Sequence, residues 1–498
     1  MSNNYGKFFM DFLTPFFEGL LSIFKEFFKG LFKMFNVLDY IDTVNKYKSS
    51  VNIVFIIIAI ICLLLLICLF AFVIYYVIKR IIRIIKKGHE QDALLEEVEK
   101  LNYDMIKLKQ ENDKLIAMAE EEVELDEDGN PVNKIGEGES RFFKLTKIDQ
   151  KYEGFKDTTK YDDSLTLKDI CEKFRAYSAS QLGLYYTPEL IRLFISAFGA
   201  SRILILQGIS GTGKTSLAYA FGKFLNNDSI IASVQPSWRD RTELFGYFNE
   251  FTKRFNETEL LSKMYEATYN EKIYITILDE MNIARVEYYF AEMLSIMEMP
   301  SKSEWKVNLV ATPWESDPKK IVGGNFTLPG NMWYIGTINN DDSTFMVTDK
   351  VYDRAMPIDI NEKCAKFDIE KTDPINIRDE HFEKLFDEAK EKYPLTSEMR
   401  NKLEELDQYI IEHFRISFGN RIMRQIEEFV PSFIACGGTE VDAIDYLISS
   451  KILRKFEQLN LAFIKNELDE FINYLNVNFG NDNMKLCKEF IIRLKKSI

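Results

Sequence analysis

The sequence predicts an α/β protein, a parallel sheet wound with helices and followed by a helical C-terminal domain. Three apolar runs carry that prediction, at 203–206, 273–278 and 333–338, each short, rich in β-branched and aromatic residues, and ending in polar ones. A glycine-rich turn joins the first run to a helical pattern, the strand, turn and helix order of a wound parallel sheet. From 375 onward the apolar spacing becomes three and four. Helices are therefore expected at 379–392, 397–413, 420–430, 442–456 and 461–474, with Pro394 and Pro431 just past two of their ends.

At 498 residues the chain is long enough for two or three folded units with connectors. Its net charge of −14 repels phosphate backbones, so no intrinsic nucleic-acid binding is expected. The six cysteines lack metal-ligand spacing, and His89, His381 and His413 stand apart from one another.

Residues 1–50 form a Phe-rich amphipathic segment. Asp11, Glu18, Ser22, Lys25, Lys29 and Lys33 recur along one stripe of a helix that is otherwise apolar, which suits a membrane interface or self-association through Phe16, Phe24 and Phe28. Residues 51–78 carry no charge, and as a helix they would be about 40 Å long against a hydrocarbon core of about 30 Å. A single tilted transmembrane helix is expected there. Lys79, Arg80, Arg83, Lys86 and Lys87 follow it, against Lys46 and Lys48 before it, so the positive-inside rule puts the C-terminal side in the cytoplasm. Within 79–124, Leu94, Val98, Leu101, Met105, Leu108, Asn112, Leu115 and Ala119 alternate by four and three. That spacing predicts a coiled-coil-like stalk or a single amphipathic helix. Residues 125–163 read as a flexible acidic linker, 164–365 as the α/β domain and 366–498 as the helical domain. Inside the α/β domain, Ser164 to Asp169 opens one helix, and Thr187 with Pro188 caps another that leads into the first strand.

The glycine-rich turn is Gly208, Ile209, Ser210, Gly211, Thr212, Gly213, Lys214, Thr215 and Ser216. Glycines at three of these positions let successive backbone N–H groups curl around a phosphate, and the next helix adds the positive end of its dipole. Lys214 is the residue for the β- and γ-phosphates, and Thr215 for Mg²⁺. The second run ends in Asp279 and Glu280, one carboxylate to direct the metal and one to position or deprotonate water. The third ends at Asn339, which a wound sheet brings to the same edge. Arg354, further on, is long enough to reach across a subunit boundary.

Together these motifs resemble an AAA+ ATPase. More narrowly, the run from Leu278 to Asn282, Gly336 to Asp342, Asp353 with Arg354, Gln235 to Asp240 and Leu244 to Tyr247 is similar to the McrB-like and MoxR/dynein-related branch. The resemblance covers 165–498. It implies a P-loop AAA+ wound sheet with a C-terminal α-helical lid, ATP with Mg²⁺ as cofactors, and a homo-oligomer, usually a hexameric ring. It also implies Asp279 and Glu280 as the Walker B pair, Asn339 as sensor 1, Arg354 as the arginine finger, and Arg421, with Arg424 as fallback, as sensor 2. Where the McrB pattern has Met-Asn-x-x-Asp, this chain has Ile338, Asn339 and Asp342, so ATP is expected first and GTP second. The expectation is a membrane-anchored ATPase that remodels a protein client at the cytoplasmic face. The alternatives are a nucleotide-gated membrane scaffold and a defence translocase working with a separate nuclease.

Overall fold

The computed structural model describes residues 139–339, 344–461 and 464–496, together with 36–47 and scattered single positions and pairs between 14 and 80. The chain divides into two units, 1–123 and 124–498. In the first, Val37–Tyr47 is a helix, and Thr43 donates from Oγ1 to the Asp39 carbonyl at 2.7 Å. Among the described residues no helix is long and apolar enough to cross a membrane. The transmembrane expectation at 51–78 lies outside the described residues apart from single positions, and the heptads at 94–119 lie wholly outside them.

The second unit opens earlier than expected. Residues 139–163, assigned from sequence to the acidic linker, are folded onto the α/β domain. Helix α1 (Phe143–Lys151) follows Phe142, and Phe142 and Leu145 are fully buried. Arg141, also buried, makes two bonds to Asp317, at 2.9 and 2.8 Å, and lies 4.3 Å from the Trp314 ring. The acidic, glycine-rich stretch just before it masked an apolar repeat of only three residues, Phe142, Leu145 and Ile148.

Helix α2 (Leu167–Leu182) starts at a capping box between Thr166 and Asp169, and α3 (Pro188–Ala200) has Thr187 as N-cap and Pro188 in its first turn. Strand β1 (Ile203–Gly208), helix α4 (Lys214–Phe224) and β2 (Ile230–Ser233) follow. A hairpin, β3 (Gly246–Asn249) with β4 (Arg254–Glu257), precedes α5 (Glu259–Ala267) and β5 (Tyr274–Asp279). Between the second and third runs lies a three-stranded antiparallel sheet of β6 (Lys306–Asn308), β7 (Ile321–Val322) and β8 (Asn325–Thr327). Strands β9 (Met332–Asn339) and β10 (Met356–Asp359) complete the main sheet, whose order is β10-β1-β9-β5-β2, with every pair parallel. Because β9 inserts between β1 and β5, the three motif-bearing strands are neighbours. All five end on one edge.

The helical domain is α6 (Asp379–Lys392), α7 (Ser397–Phe414), α8 (Gly419–Ala435), α9 (Glu440–Leu447), α10 (Lys465–Phe479) and α11 (Lys485–Lys496). It begins at 379 rather than 366. Residues before that belong to the sheet domain, where Ile375 donates to the Phe224 carbonyl at 2.7 Å and Lys272 bridges Arg378. Pro431 lies inside α8 instead of ending it, because Phe429, Val430 and Phe433 are pinned in the core and outweigh one missing N–H.

Where the domains meet, Lys451 is buried, with Nζ donating to the Tyr352 carbonyl at 3.2 Å and to Gln425 Oε1. Burial pushes its pKa down to about 7, from an ordinary value of 10.5, against the opposing pull of Asp353. Between those pH values the unfolded chain binds the proton and the folded chain does not, so stability rises with pH across about 7 to 10.5 and is lost as pH falls through 7. The melting temperature of the parent is expected to climb across that window, and that of Lys451→Met to stay flatter. Equal slopes in a pH series of thermal melts would refute the assignment.

Candidate functional site

The expected motifs converge because the strands are parallel and in register. Asn339 stands opposite Gly208, Leu278 opposite Gly336, and Ser233 opposite Asp279. The loop from Gly208 to Gly213 bends through positive φ at Gly208, Gly211 and Gly213. At Gly208 a side chain has no room, since a Cβ would lie 2.4 Å from the Ile360 carbonyl oxygen. Helix α4 begins at Lys214, which is buried, with Nζ donating to the carbonyls of Gly208 at 3.0 Å and Ile209 at 2.9 Å. Ile209, Ser210 and Gly211 are exposed on the loop.

Thr215 donates from Oγ1 to Asp279 Oδ1 at 2.7 Å, so the two residues expected to direct a metal are in contact. Thr337 donates to the same carboxylate oxygen at 2.9 Å, and its hydroxyl accepts the Glu280 N–H at 2.9 Å. Thr337 thus fixes both carboxylate residues at once. Sequence reasoning passed over it, although the signal was present: it stands two residues before Asn339, on the same face of β9. Glu280 is exposed and sits in the left-handed region at φ 51° and ψ 48°, at a cost of about 1 kcal/mol that the Thr337 bond and the buried Met281 offset. Met281 in turn requires a glycine at 336, where a Cβ would fall 1.9 Å from its sulfur. Asn339 donates from Nδ2 to Glu280 Oε1 at 3.4 Å. Asn282, buried one turn on, donates to the Asn339 carbonyl at 3.1 Å and to Thr344 Oγ1 at 2.9 Å.

A cleft of about 1280 Å³ opens between this edge and the helical domain. Tyr186, Thr187, Thr212 and Asn339 border it from the α/β domain, and Tyr446, Ser449, Arg454 and Arg493 from the helices. Tyr186 Oη, Asn282 Oδ1 and Ser450 Oγ are buried without a hydrogen-bond partner among the described residues, and all three residues line this cleft. Buried polar atoms left so are rare. Asp359, also on the cleft, donates its backbone N–H to Tyr446 Oη at 3.1 Å and accepts from Gln207 at 2.9 Å. Burial raises its pKa, opposed by that Gln207 bond and by Arg493 and Arg454.

Of the two arginines, Arg354, expected to act across a subunit boundary, and Arg421, expected over the nucleotide, neither lines this cleft. Arg354 stands two residues before β10, at the amino-terminal edge of the sheet, and four residues of strand at about 3.3 Å each separate it from the loop edge. Its Nε donates to Glu298 at 3.0 Å. Arg421, expected over the nucleotide, does not line the cleft, because its guanidinium is held by the same Glu298, at 2.5 and 3.1 Å. Arg424 is exposed and does not line it either. The helical-domain arginines on the cleft are Arg454 and Arg493, which follow α9 and lie within α11, past the helix that the sequence singled out.

Comparison with known proteins gives three findings. A family model described as a domain of unknown function, DUF8727, matches residues 370–498, the helical domain. The type IV methyl-directed restriction enzyme EcoKMcrB subunit of Escherichia coli K12 is 26% identical over 185 residues, which span 33% of this chain and 36% of that subunit. The chain thus spans about a third of the length of this curated relative. A solved structure of a provisionally named ATPase from Cytophaga hutchinsonii aligns over 61% of this chain and 87% of that one, at 12% identity and a TM-score of 0.35.

Proposed function

We propose that this chain is an AAA+-type nucleoside triphosphatase, anchored in a membrane, that hydrolyses ATP at subunit interfaces of a homo-oligomeric ring and remodels a protein partner at the cytoplasmic face. The observation that carries the hydrolytic part is the hydrogen-bonded chain from Thr215 through Asp279 and Thr337 to the Glu280 backbone, with Asn339 on the Glu280 side chain. It sits at the mouth of a glycine-rich loop with a buried lysine. Anchoring rests on the uncharged run at 51–78 and the basic cluster after it.

The donor set fits Mg²⁺. Thr215 Oγ1 and Asp279 Oδ1 are adjacent hard oxygens, and one carboxylate suits an ion that takes its remaining ligands from phosphate and water. Among the described residues no cluster of three or more acidic, His or Cys side chains would hold a metal alone. When bound, Mg²⁺ would neutralise phosphate charge. Thr215 and Asp279 would hold it, the loop N–H groups and Lys214 would bind the phosphates, and Glu280 would accept the proton of the attacking water while Asn339 keeps its carboxylate aimed. Tyr186, Ser450 and the cleft around them would receive the nucleoside, with Arg454 and Arg493 supplying positive charge from the lid.

Phosphate release by the full chain, with ATP and GTP in parallel and Lys214→Ala as blank, tests this reading. Turnover that requires Lys214 and rises with assembled mass is the expected result and identifies the nucleotide. Binding and assembly without turnover would favour a nucleotide-gated scaffold instead.

A further inference from the structure

Glu298 lies in the turn after the short helix Ala291–Ile296, on the segment that leaves the Glu280 strand. Its carboxylate is shared. One oxygen accepts from Arg421 Nε at 2.5 Å, and the other from Arg354 Nε at 3.0 Å and Arg421 Nη2 at 3.1 Å. Arg354 belongs to the α/β domain and Arg421 to α8 of the lid. The Arg354 backbone is fixed separately, its carbonyl accepting from Ser201 at 2.8 Å and from Gln425, one helical turn beyond Arg421, at 3.3 Å. Among the described residues its side chain has two partners, Glu298 and the Lys350 carbonyl at 2.8 Å. The orientation of that guanidinium therefore depends on a carboxylate that also grips the lid.

We propose that Glu298 is a positioning residue that couples the lid to Arg354, so that lid movement in one subunit sets how Arg354 is presented to the nucleotide site of the next. The inference rests on the ring reading, in which Arg354 acts on a second copy of this chain. Two guanidinium groups facing one carboxylate leave a net positive charge. When the lid swings and carries Arg421 away, Glu298 keeps Arg354 alone and holds it more tightly. When Arg421 returns, the two compete and Arg354 is loosened toward the neighbour. Coupling of this kind belongs to the ring, and it registers as cooperativity between nucleotide sites.

The test uses the full chain and three variants, Glu298→Gln, Arg421→Gln and Arg354→Ala, with turnover against ATP concentration, nucleotide affinity and assembled mass measured for each. The parent is expected to show a Hill coefficient above 1. Glu298→Gln, which frees Arg354 from the carboxylate, is expected to bring it close to 1 with affinity and mass retained, and Arg421→Gln, which leaves Arg354 held by Glu298, to lower the Hill coefficient likewise and turnover by about fivefold or more. A weakened ion pair that mattered only for stability would shift thermal melting and leave the Hill coefficient in place. A parent coefficient of 1, or an unchanged one in Glu298→Gln, overturns the coupling. If Glu298→Gln fails to assemble, Arg421→Gln, which removes only the lid arm, decides by the same readout. Turnover that survives in Arg354→Ala overturns the parent reading of Arg354 instead, so the two failures are distinguishable.

Discussion

Arg354→Ala is expected to abolish turnover by about a thousandfold while leaving nucleotide affinity within about twofold, because an arginine supplied across an interface stabilises charge that develops only in the transition state. The placement of Arg354 makes the prediction sharper. It stands before β10 at the opposite edge of the sheet from Gly208, so it lies a strand length from its own subunit's loop. Complementation checks this directly. Arg354→Ala subunits keep an intact loop, and Lys214→Ala subunits keep an intact arginine, so mixing two inactive preparations is expected to restore a fraction of parent turnover. No recovery on mixing, with mixed oligomers verified by mass, would exclude action in trans.

Glu280→Gln is expected to bind nucleotide like the parent and to lose turnover by about a hundredfold or more, the usual contribution of a positioned general base. The amide keeps the shape, and it can still meet Asn339 Nδ2 through its carbonyl oxygen. It cannot take a proton. The left-handed backbone at 280 is held by Thr337 and Met281, neither of which the substitution touches, so stability is expected to stay within about 0.5 kcal/mol. Single-turnover phosphate release alongside equilibrium binding separates the effects. Turnover within tenfold of the parent would place the base elsewhere.

The motifs were legible because backbone chemistry dictates them locally. A strand followed by Gly208, Gly211 and Gly213 and a helix has few other conformations, and paired acids after an apolar strand have one edge to occupy. The caps at Thr166 and Thr187 were equally local. Where the reading and the structure differ, the deciding contact was distant in sequence. Residues 139–163 resembled a linker until Arg141 met Asp317 and Phe142 met Phe255. Pro431 resembled a helix end until the core held both sides of it.

The lid arginines show the same division. Arg421 sits on a helix with a polar motif, and nothing in its neighbourhood distinguishes a residue over a nucleotide from one held at an ion pair. In the structure its partner is Glu298, 123 residues away. By itself the sequence determined the wound sheet, the loop, the acidic pair and Asn339, since each follows from φ/ψ preferences and strand periodicity within a few residues. Only the tertiary structure decided that Thr337 ties the acidic pair together, that Arg454 and Arg493 border the cleft, and that one carboxylate holds Arg354 and Arg421. The reason is physical. Local propensity fixes where a backbone points, whereas the partner of a long charged side chain is chosen by which opposite charge the packed core brings within about 3 Å, and that is a property of the whole fold.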